Sequence, residues 1–181
     1  APVNVLAPSP AQAEGHAKGH DCPALPSRRD AEPYEVLRSS SDEHLRKTGE
    51  RPKIFLANLG RPQGFAAAAG FAVNFFGAAG IEAVSNEGFE TPQEAAEAFR
   101  AFGGKIACIC APGAASTQVL SDAARTLLGA GAARIYLAGR EPGEAETALR
   151  EAGVAEFICA GGDALAILED TLAVALRNRQ S

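Results

Sequence analysis

From Arg51 onward the chain repeats one pattern five times: a short apolar run, then a stretch with helical signals. The runs fall at 53–58 (KIFLAN), 81–85 (IEAVS), 105–110 (KIACIC), 133–138 (ARIYLA) and 156–159 (EFIC). Each is too short for a helix and is bounded by glycine or proline. Helical stretches are expected at 64–81, at 92 to about 103, at about 114–129, at 144–151 and at 163 to about 177. Thr91, Pro92 and Glu94 fit a capping box, with Thr91 as N-cap, Pro92 at the first position and the acid three residues on. Asp163 is placed to cap the last helix, and Arg177 and Arg179 sit at its carboxyl end, where the helix dipole favours cations.

Strict alternation of strand and helix, with strands apolar throughout, predicts a parallel sheet covered on both faces. Right-handed crossovers make it doubly wound, and five strands imply a flavodoxin-like order 2-1-3-4-5. The fold class is therefore α/β. In such sheets a ligand crevice lies outside the carboxyl ends of the strands, so the informative loops are 59–65, 111–116, 139–143 and 160–163.

Ahead of this unit the composition changes. Residues 1–33 hold Pro2, Pro8, Pro10, Pro23, Pro26 and Pro33 and few large apolar side chains, which reads as an extended tail. Residues 34–50 form a short helical connector. Pro33 stands at its start, Tyr34 and Leu37 share a face, and Gly49 is suited to its carboxyl cap. Residues 51–181 form the α/β domain. An opening at Ala1 rather than Met is that of a fragment or a processed product.

Composition excludes several classes. A net charge of −5 and a sequence pI near 5.3 do not give the basic surface that nucleic acid needs. They fit a cytoplasmic protein. The stretch 64–81 carries no charge and is long enough to raise the question of a membrane span, but it is mostly Ala and Gly and sits between two strands. It reads as a buried helix packed on the sheet. Cys22, Cys108, Cys110 and Cys159 lack the paired spacing of a zinc site and read as reduced thiols, with Cys108 and Cys110 on one side of a strand.

No histidine lies beyond His44, and His16 and His20 lie in the tail, so neither Ser85, Ser116, Thr117 nor Cys110 has a base inside the core. The third run ends without the aspartate of a phospho-acceptor domain. Arg61, with Gly60 and Gly64 ahead of a helix, could attract an anion, although the loop has neither a dinucleotide nor a P-loop pattern. A small anion- or CoA-binding α/β protein is therefore one reading.

Residues 51–60 (RPKIFLANLG), 80–84 (GIEAV), 134–139 (RIYLAG) and 153–158 (GVAEFI), with 29–37 (RDAEPYEVL) ahead of them, resemble the carboxyl-terminal, cobalamin-binding-type region of methylmalonyl-CoA mutase. The likeness is greatest to the small subunit of the bacterial heterodimeric enzyme, and it covers about residues 28 to 178. It implies a holoenzyme that uses adenosylcobalamin to interconvert methylmalonyl-CoA and succinyl-CoA, with a large catalytic subunit as partner. In that family a D-x-H-x-x-G motif follows the first strand. Its His is the lower cobalt ligand, its Asp orients that imidazole, and its Gly makes room for the cofactor's nucleotide tail.

Laid on this chain, those positions fall at Pro62, Gly64 and Ala67, and none matches. The Ser-rich loop after the third strand becomes Ala111 and its neighbours, and the Gly-Gly after the fourth becomes Ala138-Gly139. The resemblance thus implies a degenerate cobalamin domain that is not itself catalytic and has a structural role in assembly. The alanine-rich first helix would fill the nucleotide-tail space. That helix and the tail would bury surface against the large subunit or an amino-terminal barrel. The alternative is a working cobalamin binder with atypical ligation, for instance by a tail histidine. Residues 14–19 (EGHAKG) mimic the motif, but no strand and helix surround them.

Overall fold

The computed structural model describes residues 31–139 and 143–177. Its elements are α1 (Glu32–Thr48), β1 (Lys53–Asn58), α2 (Pro62–Gly77), β2 (Glu82–Val84), α3 (Pro92–Phe102), β3 (Ile106–Cys110), α4 (Thr117–Gly129), β4 (Arg134–Ala138), α5 (Glu146–Glu151), β5 (Glu156–Ile158) and α6 (Ala164–Arg177). The sheet is parallel throughout, in the order β2-β1-β3-β4-β5, as the alternation predicts.

Side chains alternate across the strands and so build two cores. Ile54, Leu56, Ile106, Cys108, Cys110, Tyr136, Ala138 and Ile158 join one cluster with Leu37 of α1, with α2, and with Leu168 and Leu172 of α6. Phe55, Ala57, Ala107, Ile109, Ile135, Leu137 and Phe157 join the other with α3, α4 and α5. The strands have to be apolar on both sides because both sides are covered.

α1 is anchored rather than loose. Leu37 is buried and Tyr34 packs on the same cluster. Ser41 Oγ donates to Gly80 O at 2.5 Å, and Arg51 pairs with Asp42 at 2.7 Å. Gly49 ends the helix in the left-handed region, with its N–H donating to Leu45 O.

Several boundaries differ from expectation for local reasons. α2 begins at Pro62 rather than residue 64, because the extended backbone of Arg61 delivers a proline into the first turn. It stops at Gly77, before a tight turn that ends in Gly80. α4 starts at Thr117, not near 114. Ala115 N donates to Pro112 O in a turn, and Ser116 Oγ then accepts from Val119 N as the cap. α5 begins at Glu146 rather than 144. Thr91 caps α3 as expected, accepting from Glu94 N. The Glu94 carboxylate reaches Glu90 N instead of Thr91 N, so the box is closed one residue earlier.

The helix expected to be buried at 64–81 is buried on one side only. Phe65, Ala68, Ala69, Ala72 and Phe76 face the sheet, while Ala66, Ala67, Gly70, Val73, Asn74 and Gly77 are exposed. A helix lying on one face of a two-sided sheet has an outer side, and no described part of the chain covers it.

Candidate functional site

α2 follows the end of β1 and packs against β2, β1, β3 and β4. Its approach is set at Gly139, just past β4. That residue has φ +74, and a Cβ built on it would stand 3.3 Å from Ala68 Cβ. Only glycine accepts both the turn and the contact without strain. Beyond this contact the strand ends and α2 diverge, leaving a cleft of about 460 Å³ at the carboxyl edge of the sheet. Gly64, Ala67, Ala68 and Phe71 of α2 form one wall. Leu120 and the segments 111–113, 137–139 and 159–160 form the rest. None of these residues is charged, and the Cys159 thiol is the one side-chain heteroatom in the lining.

Four of the five positions singled out in the sequence, Gly64, Ala67, Ala111 and Gly139, come together around this cleft. Pro62 does not line it and serves instead as the first residue of α2. Ala67 and Ala68 of the alanine-rich helix border this cleft, which stays open beside them. At Gly64 the situation is the reverse, because a Cβ there would stand 2.8 Å from Pro112 Cγ and 3.4 Å from its Cβ. That position has no side chain and is backed by a proline ring. It offers no donor atom to a metal above the strand ends, so position 64 does not fit cobalt ligation.

The remaining candidates have structural partners. Ser85 Oγ accepts from Asn58 Nδ2 at 3.1 Å. Ser116 caps α4, whose first residue is Thr117. Asp163 Oδ1 accepts from Ala166 N at 3.1 Å, which caps α6 as expected. Cys108 and Cys110 are buried under α2, and burial, reinforced by the neighbouring Cys110, pushes the Cys108 thiol well above its ordinary range. Cys159 is half-buried at the cleft. Arg61 is exposed ahead of α2, but Pro62 has no N–H and the Gly64 N–H already donates to Arg61 O at 2.8 Å, so the first turn presents little to an anion. His44 lines a different cavity at the opposite end of the sheet, with Arg51, Lys53 and Lys105. His16, His20, Cys22, Arg179 and the motif mimic at 14–19 lie outside the described residues.

One cluster was missed by sequence reasoning. Asn58 is buried at the end of β1, and its Nδ2 donates both to Ser85 Oγ and, at 3.1 Å, to Asn86 O. Asn86 Nδ2 donates to Leu56 O at 2.7 Å, and Asn86 Oδ1 accepts from Gly88 N. Asn58 Oδ1 is buried with no donor among the described residues. The knot ties the loop after β2 to the end of β1 and brings Phe89 into a bridge with Leu59. An amide closing an otherwise apolar strand was the available signal.

The cleft can therefore enclose apolar surface, but among the described residues its lining has no general acid or base and no cation. Among the described residues no group of His, Cys, Asp and Glu is placed to hold a metal ion, and no helix is long and apolar enough to cross a membrane.

Comparison with known proteins adds an independent line. No family model matches the chain. A protein of Streptomyces virginiae called methylmalonyl-CoA mutase small subunit is 43% identical over 148 residues, which is 82% of this chain and 23% of that protein. The methylmalonyl-CoA mutase small subunit of Propionibacterium freudenreichii subsp. shermanii is 36% identical over 65% of this chain and 18% of its own length. A probable methylmalonyl-CoA mutase small subunit of Mycobacterium tuberculosis is 33% identical over 71% of this chain and 21% of its own. The chain thus spans a quarter or less of the length of these curated relatives.

Proposed function

We propose that this chain, a homologue of the methylmalonyl-CoA mutase small subunits, works as the part of such a subunit that keeps a cobalamin-type fold without ligating cobalt. Its work is assembly. It would pair with the larger catalytic subunit of a cytoplasmic, adenosylcobalamin-dependent enzyme that interconverts methylmalonyl-CoA and succinyl-CoA. Pro62, Gly64, Ala67, Ala111 and Gly139 are then the degenerate positions of an ancestral cofactor site. Residues 1–33 act as a tail, 34–50 as a connector and 51–181 as the domain.

The observation that carries this reading is Gly64. In the register of the family motif it stands where an imidazole would reach cobalt, yet a side chain there would run into Pro112 at 2.8 Å. The uncharged outer side of α2 supports the assembly role. An exposed helix face without charge is suited to burial against another protein surface.

The test is a titration of the full chain with adenosylcobalamin, followed by gel filtration, beside co-purification with the larger subunit. No retained cofactor together with a stable complex is the expected result. Tight retention with the spectrum of a histidine-ligated cobalamin would overturn it.

A second reading has one observation in its favour, the open cleft of about 460 Å³. On that reading the domain binds cobalamin with cobalt ligated from elsewhere, and replacing His16 and His20 would abolish retention.

A further inference from the structure

Pro112 is held firmly in place. The strand before it is paired with β1, with Asn58 opposite Cys110, and Leu59 N donates to Cys110 O at 2.8 Å. After it, the turn closed by Ala115 N on Pro112 O leads directly into the capped start of α4. Its ring lies over the start of α2. A Cβ built on Gly60 would touch Pro112 Cγ at 3.8 Å, an ordinary contact, and one built on Gly64 would collide with it at 2.8 Å. A proline ring cannot rotate out of the way as a long side chain can. Gly64 and Pro112 are thus a matched pair at one wall of a cleft that is otherwise open and lined by uncharged residues.

We infer that Pro112 is a specificity-determining residue that denies position 64 a side chain, so that cobalt ligation from this wall is prevented by shape as well as by the missing imidazole. This rests on the degenerate reading above and adds to it. Restoring a histidine at position 64 alone cannot restore the site, because the Cβ of any residue there has to displace the proline.

The experiment compares four forms of the full chain: the natural one, Gly64→His, Pro112→Gly, and the double variant. Each is titrated with adenosylcobalamin, and retained cofactor and its absorbance spectrum are read after gel filtration. The double variant should retain about tenfold or more cofactor than Gly64→His alone, with histidine-type ligation. Equal retention by those two, whether none or much, overturns the role of Pro112. Retention by the natural chain sinks the degenerate reading instead, while the ratio of the two histidine variants still reports on Pro112. Folding is followed separately through Gly64→Ala. Its melting temperature should drop in the natural background and recover when combined with Pro112→Gly. The same drop in both backgrounds also overturns the inference.

Discussion

The two faces of this sheet are covered by helices of different character. On one face, α3 has a side-chain cap at Thr91, an acid in its first turn, Arg100 in its last, and Glu94, Glu97 and Arg100 turned outward. Phe55, Phe99 and Phe102 pack beneath it in a close aromatic group. On the other face, α2 has no side-chain cap, no charge in either terminal turn, and an outer side of Ala66, Ala67, Gly70, Val73, Asn74 and Gly77. Both helices cover β1. α3 carries charge on its solvated side, and α2 presents an exposed side without charge. Most of the buried polar groups lie on one side, with Ser121 of α4 on the other. Tyr136, Thr171 and Ser41 lie on the α2 side, where Tyr136 OH sits 2.8 Å from Thr171 Oγ1 and 3.5 Å from Asp170 Oδ2. Arg134 grips the same carboxylate at 2.9 and 3.1 Å.

The contrast is broken most directly by placing a charge on the outer side of α2. Val73 is 42% exposed, so Val73→Glu should leave folding of the chain nearly unchanged. If the proposed assembly role holds, it should weaken association with the larger subunit by about a hundredfold, since an unpaired charge would be buried in the contact. Glu97→Gln on α3 should leave association untouched. Binding isotherms for the two variants decide the matter, and equal effects would mean that α2 is not the contact surface.

A second test concerns the polar group beneath the α2 side. Burial pushes the Tyr136 hydroxyl up to about 12, opposed by its bond to Thr171 and assisted by the Asp170 charge. Between the ordinary tyrosine range and that value, the unfolded chain loses a proton that the folded chain keeps, so stability has to fall as pH rises. Denaturant unfolding should lose on the order of 2 kcal/mol from pH 10 to 12. Tyr136→Phe should flatten that window while leaving the α3 side as it was.

The caps give a smaller pair of effects. Thr91→Ala should destabilise by about 1 kcal/mol, because Glu94 N loses its acceptor. Arg61 occupies the corresponding position of α2 and gives no side-chain bond. Arg61→Ser should therefore stabilise by roughly 0.5 kcal/mol. Thermal melts of both variants should move in opposite directions, and the same direction would remove this part of the contrast.

Much of this was legible in sequence. The apolar runs located the described strands, and the alternation with helices led to their order, because parallel pairing leaves few topologies. The caps at Thr91 and Asp163 could be read because their chemistry is local. The start of α4 could not, since Gly113-Ala114-Ala115 continues an alanine-rich pattern and only the turn on Pro112 decides where the helix begins. The open cleft was not legible either. Its width depends on Gly139 meeting Ala68, two residues far apart in sequence. The same holds for Gly64 with Pro112 and for Asn58 with Asn86. Periodicity tells which face a residue takes, but not which residue it will meet across a gap.

The buried thiols under α2 have a practical consequence. Cys108 and Cys110 are shielded from solvent and Cys108 resists ionisation, whereas Cys159 stands half-open at the cleft. Alkylating reagents attack thiolates, so Cys159 should react in the native chain while the β3 pair waits for the sheet to open. Site-resolved mass spectrometry of a labelling time course would then register two separate clocks at these three described thiols. One follows entry to the cleft, and the other follows how often the middle of the molecule comes apart.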